Sequence, residues 1–202
     1  LFFDQLDLGE LSKGITTPFY LYSENLIKQN IKEYISQSND KTLFCYSVKA
    51  NSNLSILKLI ASEGMGFDVV SMGELYRVIK AGCDTNKVVY SGVGKTRTEI
   101  RYALENNILC FNVESEGELF VINDEASAMG TTANISIRVN PDVAAESHPY
   151  ISTGMKDNKF GITYKNALTL YIKASKLSSL NIIGIDFHIG SQITSTQPYI
   201  DS

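Results

Sequence analysis

Short runs of aromatic and β-branched residues recur along this chain, each roughly 20 to 25 residues after the last and most followed by a stretch with helical spacing of its apolar positions. The runs lie at residues 43–49, 66–71, 88–91, 108–113, 135–139 and 182–188. The spacing predicts helices over about 54–63, 73–81, 99–105, 116–128 and 164–176. Ahead of them Ser23 caps a helix whose apolar positions are Leu26, Ile27, Ile31 and Ile35, and residues 18–23 read as an aromatic strand-like segment belonging to some sheet. The interval from Val139 to Ile182 is longer because a loop rich in turn-forming residues, 140–158, is inserted. Alternation of this kind builds a parallel sheet, either open and doubly wound or closed into a barrel.

The polar residues choose between the two. Lys49, Ser91, Asn112, Arg138 and His188 each fall at or near the carboxyl end of a run, and Asp68 lies within another. An open sheet concentrates its ligand groups at one switch point, whereas a barrel gathers every strand end around one mouth, so contributions from nearly every run favour a barrel. The expected fold is an α/β, (β/α)8 TIM barrel that is incomplete: about six βα units, where closure takes eight and about 250 residues. Lys49 stands out because an apolar run drives straight into it before Asn51-Ser-Asn53 turns the chain. It is either a lysine snorkelling into water or one desolvated in the mouth, with its amine available for a Schiff base.

Composition narrows the function. At 44% hydrophobic and 20% charged the chain is an ordinary globular one, and with a net charge of −4 and scattered lysines and arginines no nucleic-acid surface is expected. Small acidic or zwitterionic substrates stay open. Cys45, Cys83 and Cys110 are odd in number and lie in or beside apolar runs, as reduced thiols do, and His148 and His188 are too far apart for a zinc ligand set. No apolar run has the length of a membrane span and the first residues do not form a signal peptide, so the expectation is a soluble, cytoplasmic protein without membrane partners. Gly92-Val-Gly94-Lys95-Thr96 fails as a P-loop, which needs a glycine at Val89, and as a dinucleotide fingerprint, which needs one at Arg97; it reads as a strand-to-helix corner.

Tyr46-Ser-Val-Lys-Ala-Asn51, Gly66-Phe-Asp-Val-Val-Ser71, Tyr90-Ser-Gly-Val-Gly-Lys-Thr96, Phe111-Asn-Val-Glu-Ser115, Arg138-Val-Asn-Pro-Asp142, His148-Pro-Tyr-Ile-Ser-Thr-Gly154, Lys159-Phe-Gly-Ile162 and Phe187-His-Ile-Gly-Ser-Gln192 resemble, in order, the diaminopimelate decarboxylase branch of the barrel-type pyridoxal-phosphate decarboxylases. Ser47 stands where that family more often has alanine. The resemblance implies pyridoxal 5'-phosphate as cofactor and conversion of meso-2,6-diaminopimelate to L-lysine and carbon dioxide. By the same resemblance Lys49 holds the cofactor through a Schiff base, His188 lies against its ring and Ser191 binds its phosphate. Asp68 and Arg138 surround the cofactor, with a structural strand-end ion pair as the alternative reading. The resemblance further implies a homodimer with a shared active site, in which Lys159 pairs across the interface. Residues 1–23 would pair with a β-domain absent from this sequence and 24–202 would form the partial barrel. The family's acid for the pyridine nitrogen, its glycine-rich phosphate turn and its partner-subunit cysteine have no counterpart here, so the chain alone is expected to be inactive. A non-enzymatic pyridoxal-phosphate carrier, or an ornithine or arginine decarboxylase, would share the same lysine.

Overall fold

Three-residue to eight-residue strands separated by capped helices carry the alternation read from the sequence. The computed structural model of the chain describes residues 1–141, 160–191 and 193–202. At the amino end β1 (Phe2–Phe3) and β2 (Leu6–Asp7) form a small antiparallel hairpin, followed by α1 (Leu8–Lys13), whose first turn is capped by the Asp7 side chain. Residues 18–23, read as strand-like in the sequence, belong to no strand among the described residues, with a bend at Pro18. Ser23 accepts a hydrogen bond from the Leu26 N–H at 3.0 Å and so starts α2 (Glu24–Ser36). Then come β3 (Cys45–Ser47), α3 (Leu54–Ser62), β4 (Gly66–Val69), α4 (Met72–Lys80), β5 (Val88–Tyr90), α5 (Arg97–Glu105), β6 (Cys110–Val113), α6 (Glu116–Ala128) and β7 (Ala133–Asn140). A two-residue β8 (Ile162–Thr163), α7 (Tyr164–Ala174), β9 (Leu180–Asp186) and α8 (Gln197–Asp201) complete the described chain.

The strands pair in parallel in the order β3-β4-β5-β6-β7-β9, with β8 beside the last two residues of β7. Each strand therefore neighbours its successor in the series. With right-handed crossovers that order places the helices on one face of the sheet and leaves the other as the lining of a barrel. The burial pattern agrees: Phe67, Val69, Val88, Tyr90, Phe111, Val113, Ile135 and Ile137 are buried in the core with Leu57, Leu75, Ile100, Leu119 and Ile122 of the helices. The opposite face carries Ser47, Asp68, Asn112, Ser136 and Arg138, offset by one residue from that apolar set as the two-residue side-chain period of a strand requires.

Close backbone approach fixes one glycine. A Cβ at Gly66 would lie 2.3 Å from the Lys87 carbonyl oxygen and 2.9 Å from Cys45 Sγ, so β4 can enter the sheet there only without a side chain.

Several boundaries differ from those read in the sequence. β3 stops at Ser47, and residues Val48–Ala50 form a 3-10 turn, so Lys49 sits just past the strand instead of at its last position. β9 ends at Asp186, which leaves His188 two residues beyond it. β8 went unforeseen because two residues carry no periodicity. The expected loop over 140–158, with His148, and Lys159 lie outside the described residues apart from Asn140 and Pro141.

Candidate active site

On the lining face one polar side chain from each of five neighbouring strands or their ends joins a continuous hydrogen-bonded belt. Ser136 Oγ donates to Asn112 Oδ1 at 2.6 Å, Asn112 Nδ2 donates to Ser91 Oγ at 3.0 Å, and Ser91 Oγ donates to Asp68 Oδ1 at 2.6 Å. From the other side Ser47 Oγ donates to Asp68 Oδ2 at 3.1 Å. Every donor is directed toward Asp68, whose carboxylate is the sink of the belt. Ser47 and Asp68 are register partners, as are Asn112 and Ser136, so the belt follows from strand register.

Two residues further along the strands lies a second tier, on the same face by the period of two. It comprises Glu114, Arg138 and Asp186, while Lys49, two residues beyond Ser47, leaves the strand in the 3-10 turn. Glu114 is buried, its side chain 1% exposed, and its Oε1 accepts from the Gly92 N–H at 2.9 Å and from Arg138 Nη1 at 3.0 Å. Its other oxygen, Oε2, is buried and has no partner among the described residues. Arg138 Nε lies 4.0 Å from Asp186 Oδ2, its register partner on β9. Burial pushes the Asp186 carboxyl above its ordinary value, with Arg138 pulling it down and Glu114 and Asp68 adding to the rise.

Lys49 is exposed in its turn and enters no ion pair among the described residues. The apolar, desolvated surroundings weighed for it are therefore not seen: among the described residues β3 is an edge strand and only β4 pairs with it. A second lysine beside a strand end has the opposite fate. Lys95 is fully buried, and its Nζ donates to the Gly92 carbonyl at 2.7 Å, the Asn112 carbonyl at 2.9 Å and Glu118 at 2.8 Å. Burial raises the Glu118 carboxyl even so, against the pull of Lys95. Those three acceptors hold the corner between β5 and α5, so the Gly-Val-Gly turn is the strand-to-helix corner expected of it.

The structure thus brings Asp68, Ser91 and Asn112 into one belt and Arg138 into the tier above, in an ion pair with Glu114. His188 and Ser191 follow β9 and are exposed. Ser136, Glu114 and Asp186 were not singled out in the sequence, where Ser47 stood only as a departure from alanine and Lys95 only as part of a corner, although Asn134, Ser136 and Arg138 alternate with Ile135 and Ile137 in a period of two that marks a polar face. The three thiols are free, and burial pushes each up to about 11, which keeps them protonated and unreactive.

The donor set fits the pyridoxal phosphate implied by the sequence. A primary amine with no ion-pair partner, Lys49, stands at the strand end, a guanidinium held by carboxylates faces the same mouth, and Ser191 lies in the turn after β9. Lys95 is excluded from holding an aldehyde because its ammonium is spent on three acceptors.

Comparison with known proteins bears on the same residues. The family model described as the pyridoxal binding domain of pyridoxal-dependent decarboxylases matches residues 24–202. The chain is 50% identical, over its whole length, to the diaminopimelate decarboxylase of Vibrio cholerae, and 48% identical over 98% of its length to that of Aquifex aeolicus. It spans about half the length of these relatives, 49% and 47%. Among solved structures, diaminopimelate decarboxylase from Helicobacter pylori complexed with L-lysine superposes with a TM-score of 0.92 at 47% identity, covering 96% of this chain and 50% of that one. The lysine decarboxylase of Selenomonas ruminantium superposes with a TM-score of 0.81 at 27% identity over 96% of this chain and 48% of its own. With the family match covering the whole strand–helix series and its polar lining, the chain belongs to the pyridoxal-dependent decarboxylases, as part of their pyridoxal-binding barrel.

Proposed function

We propose that the protein containing this chain removes carbon dioxide from meso-2,6-diaminopimelate to leave L-lysine, with this chain supplying the part of the barrel that holds the cofactor. The observation that carries the reading is the split in identity: 46–50% to the diaminopimelate decarboxylases compared by sequence, against 27% to the structurally similar lysine decarboxylase. That split favours diaminopimelate over lysine as the amino acid decarboxylated, and since the relatives on both sides of it are decarboxylases it favours an enzyme over a carrier.

When bound, pyridoxal phosphate supplies the electron sink for the carbanion left as carbon dioxide departs. The residues of this chain bind and orient it. Lys49 would take the aldehyde, its exposed amine being free of ion pairs. Asp68 presents a carboxylate whose two oxygens are fixed by Ser47 and Ser91, so no reorganisation is needed when charge develops nearby. Arg138, held by Glu114, keeps a fixed positive charge at the mouth, and His188 and Ser191 would meet the ring face and the phosphate.

Several further features support the wider reading. Residues 1–23 precede the family match, and Phe2, Leu6, Tyr20 and Tyr22 are exposed there, an apolar surface suited to pairing with a separate β-domain. No helix among the described residues is long and apolar enough to cross a membrane, in keeping with a cytoplasmic enzyme. A homodimer with a shared site, with Lys159 at its interface, completes the proposal.

The test is carbon dioxide release by the full-length protein from meso-diaminopimelate, ornithine, arginine and lysine in parallel, with product chromatography. Turnover confined to diaminopimelate with lysine as product supports the reading, and Lys49→Ala lowers kcat at least about a thousandfold. Preference for another of the four amino acids, or no turnover by a protein loaded with cofactor, overturns it.

A further inference from the structure

We infer that Glu114 is a positioning residue of the cofactor site: anchored to the backbone at the end of β5, it sets where the Arg138 guanidinium stands in the mouth. The inference rests on the proposed function above only in taking the mouth to be the cofactor site.

Glu114 follows β6 directly, and its side chain is 1% exposed. One oxygen, Oε1, takes both hydrogen bonds the carboxylate makes, from the Gly92 N–H and from Arg138 Nη1. The first is a backbone donor in a turn pinned on both sides of it, since the Ser91 N–H donates to the Val69 carbonyl at 2.9 Å and the Gly92 carbonyl accepts from Lys95 Nζ at 2.7 Å. Glu114 therefore stands on a rigid support. The second bond carries that rigidity across to β7. Arg138 has a long side chain with many rotamers, and without a fixed acceptor on the β6 side its guanidinium would be free to swing toward Asp186, 4.0 Å away on β9.

The carboxylate needs Arg138 in return. Oε2 is buried without a partner among the described residues, so the guanidinium is the one cation within salt-bridge distance of this buried charge there. Asp68, Lys95, Glu118 and Asp186, on the neighbouring elements, complete the charged groups of the tier. Lys95 is committed to Glu118 and two carbonyls, and Asp186 competes for the same arginine. Glu114 breaks that competition in favour of one placement.

The experiment uses the full-length protein and the variants Glu114→Gln, Arg138→Met and their combination. Gln retains an oxygen for the Gly92 N–H and removes the charge that holds Arg138. In the cofactor-free protein, the guanidinium Nη–Hη resonances of Arg138, assigned by their absence from Arg138→Met, are expected to be sharp and slow to exchange, and to lose that protection at least about tenfold in Glu114→Gln. In pyridoxal-phosphate titrations of the apo-protein, Glu114→Gln is expected to weaken binding about tenfold, and less than twofold when Arg138 is already Met. An unchanged Arg138 resonance in folded Glu114→Gln, or losses of affinity that simply multiply in the double variant, overturns the inference. A parent protein that binds no pyridoxal phosphate defeats the proposed function instead, and the resonance then decides the role of Glu114 by itself.

Discussion

Lys49 follows β3 and Lys95 lies at the corner after β5, and the two differ in one respect that matters chemically, the number of acceptors among the described residues within reach of the ammonium. Lys95 has three and no exposed surface, so its amine is a structural cation. Replacing it by methionine would leave Glu118 buried and unpaired, and the expected cost is about 3–5 kcal/mol by denaturant unfolding of the full-length protein. Lys49 has none, and incubation with pyridoxal phosphate, borohydride reduction and peptide mapping should put the label on Lys49 and none on Lys95. Label on any other lysine contradicts the assignment. The belt makes a milder forecast: Asn112→Leu removes one donor and one acceptor from between Ser91 and Ser136 and should cost about 1–3 kcal/mol in the same assay. The sequence exposed Lys49, Asp68, Ser91, Asn112 and Arg138 because strand-end polar residues interrupt apolar runs. It concealed Glu114, Ser47 and Ser136, since the significance of a short polar residue in a strand depends on which neighbour register sets opposite it.

At the level of elements, helix starts were legible because Ser23, Asn53, Ser71, Thr96 and Ser115 each cap the helix that follows, a local signal with a local cause. The 3-10 turn at Val48–Ala50 and the strand β8 are too short to have a period and left no such mark. One cap does double duty. Glu99 closes the capping box of α5 with Thr96 and also accepts the first free N–H of α4, from Met72 at 3.0 Å. Partial burial works to raise its carboxyl, but the hydrogen bonds from Met72 and Thr96 outweigh it and the net shift is downward. A depressed carboxyl adds stability that is fully present above the ordinary glutamate value and is lost as pH falls through the lower, folded one. Glu99→Gln should therefore cost about 1 kcal/mol at pH 7, a difference that begins to shrink below about pH 4.3 and vanishes in stronger acid. Thermal melts of both proteins from pH 7 to pH 2.5 would show it. A constant difference across that range would mean that packing, not the charge, holds the two helix starts together.

For the molecule as a whole, the sheet has two unpaired edges among the described residues, β3 on one side and β9 on the other. Ile183, Ile185 and Phe187, in and just after β9, are 47%, 61% and 47% exposed. Such an edge associates unless it is covered, so the 202-residue chain produced alone should form species larger than a dimer by light scattering and bind a hydrophobic dye, whereas the full-length protein should scatter as a dimer and bind none. Monomeric behaviour of the isolated chain would show that β9 is protected in some other way. The monotonic strand order also has a kinetic meaning. Register partners such as Cys45 and Gly66, Phe67 and Val88, Val89 and Cys110, or Phe111 and Ile135 are 21, 21, 21 and 24 residues apart, whereas Ala133 and Leu180 are separated by 47. Loop closure grows only with the logarithm of length, so that doubling costs about 0.6 kcal/mol more entropy than each earlier step. Assembly can thus run as a zipper of near-equal local closures from β3 to β7, with β9 joining last, and the Arg138–Asp186 contact must wait for it.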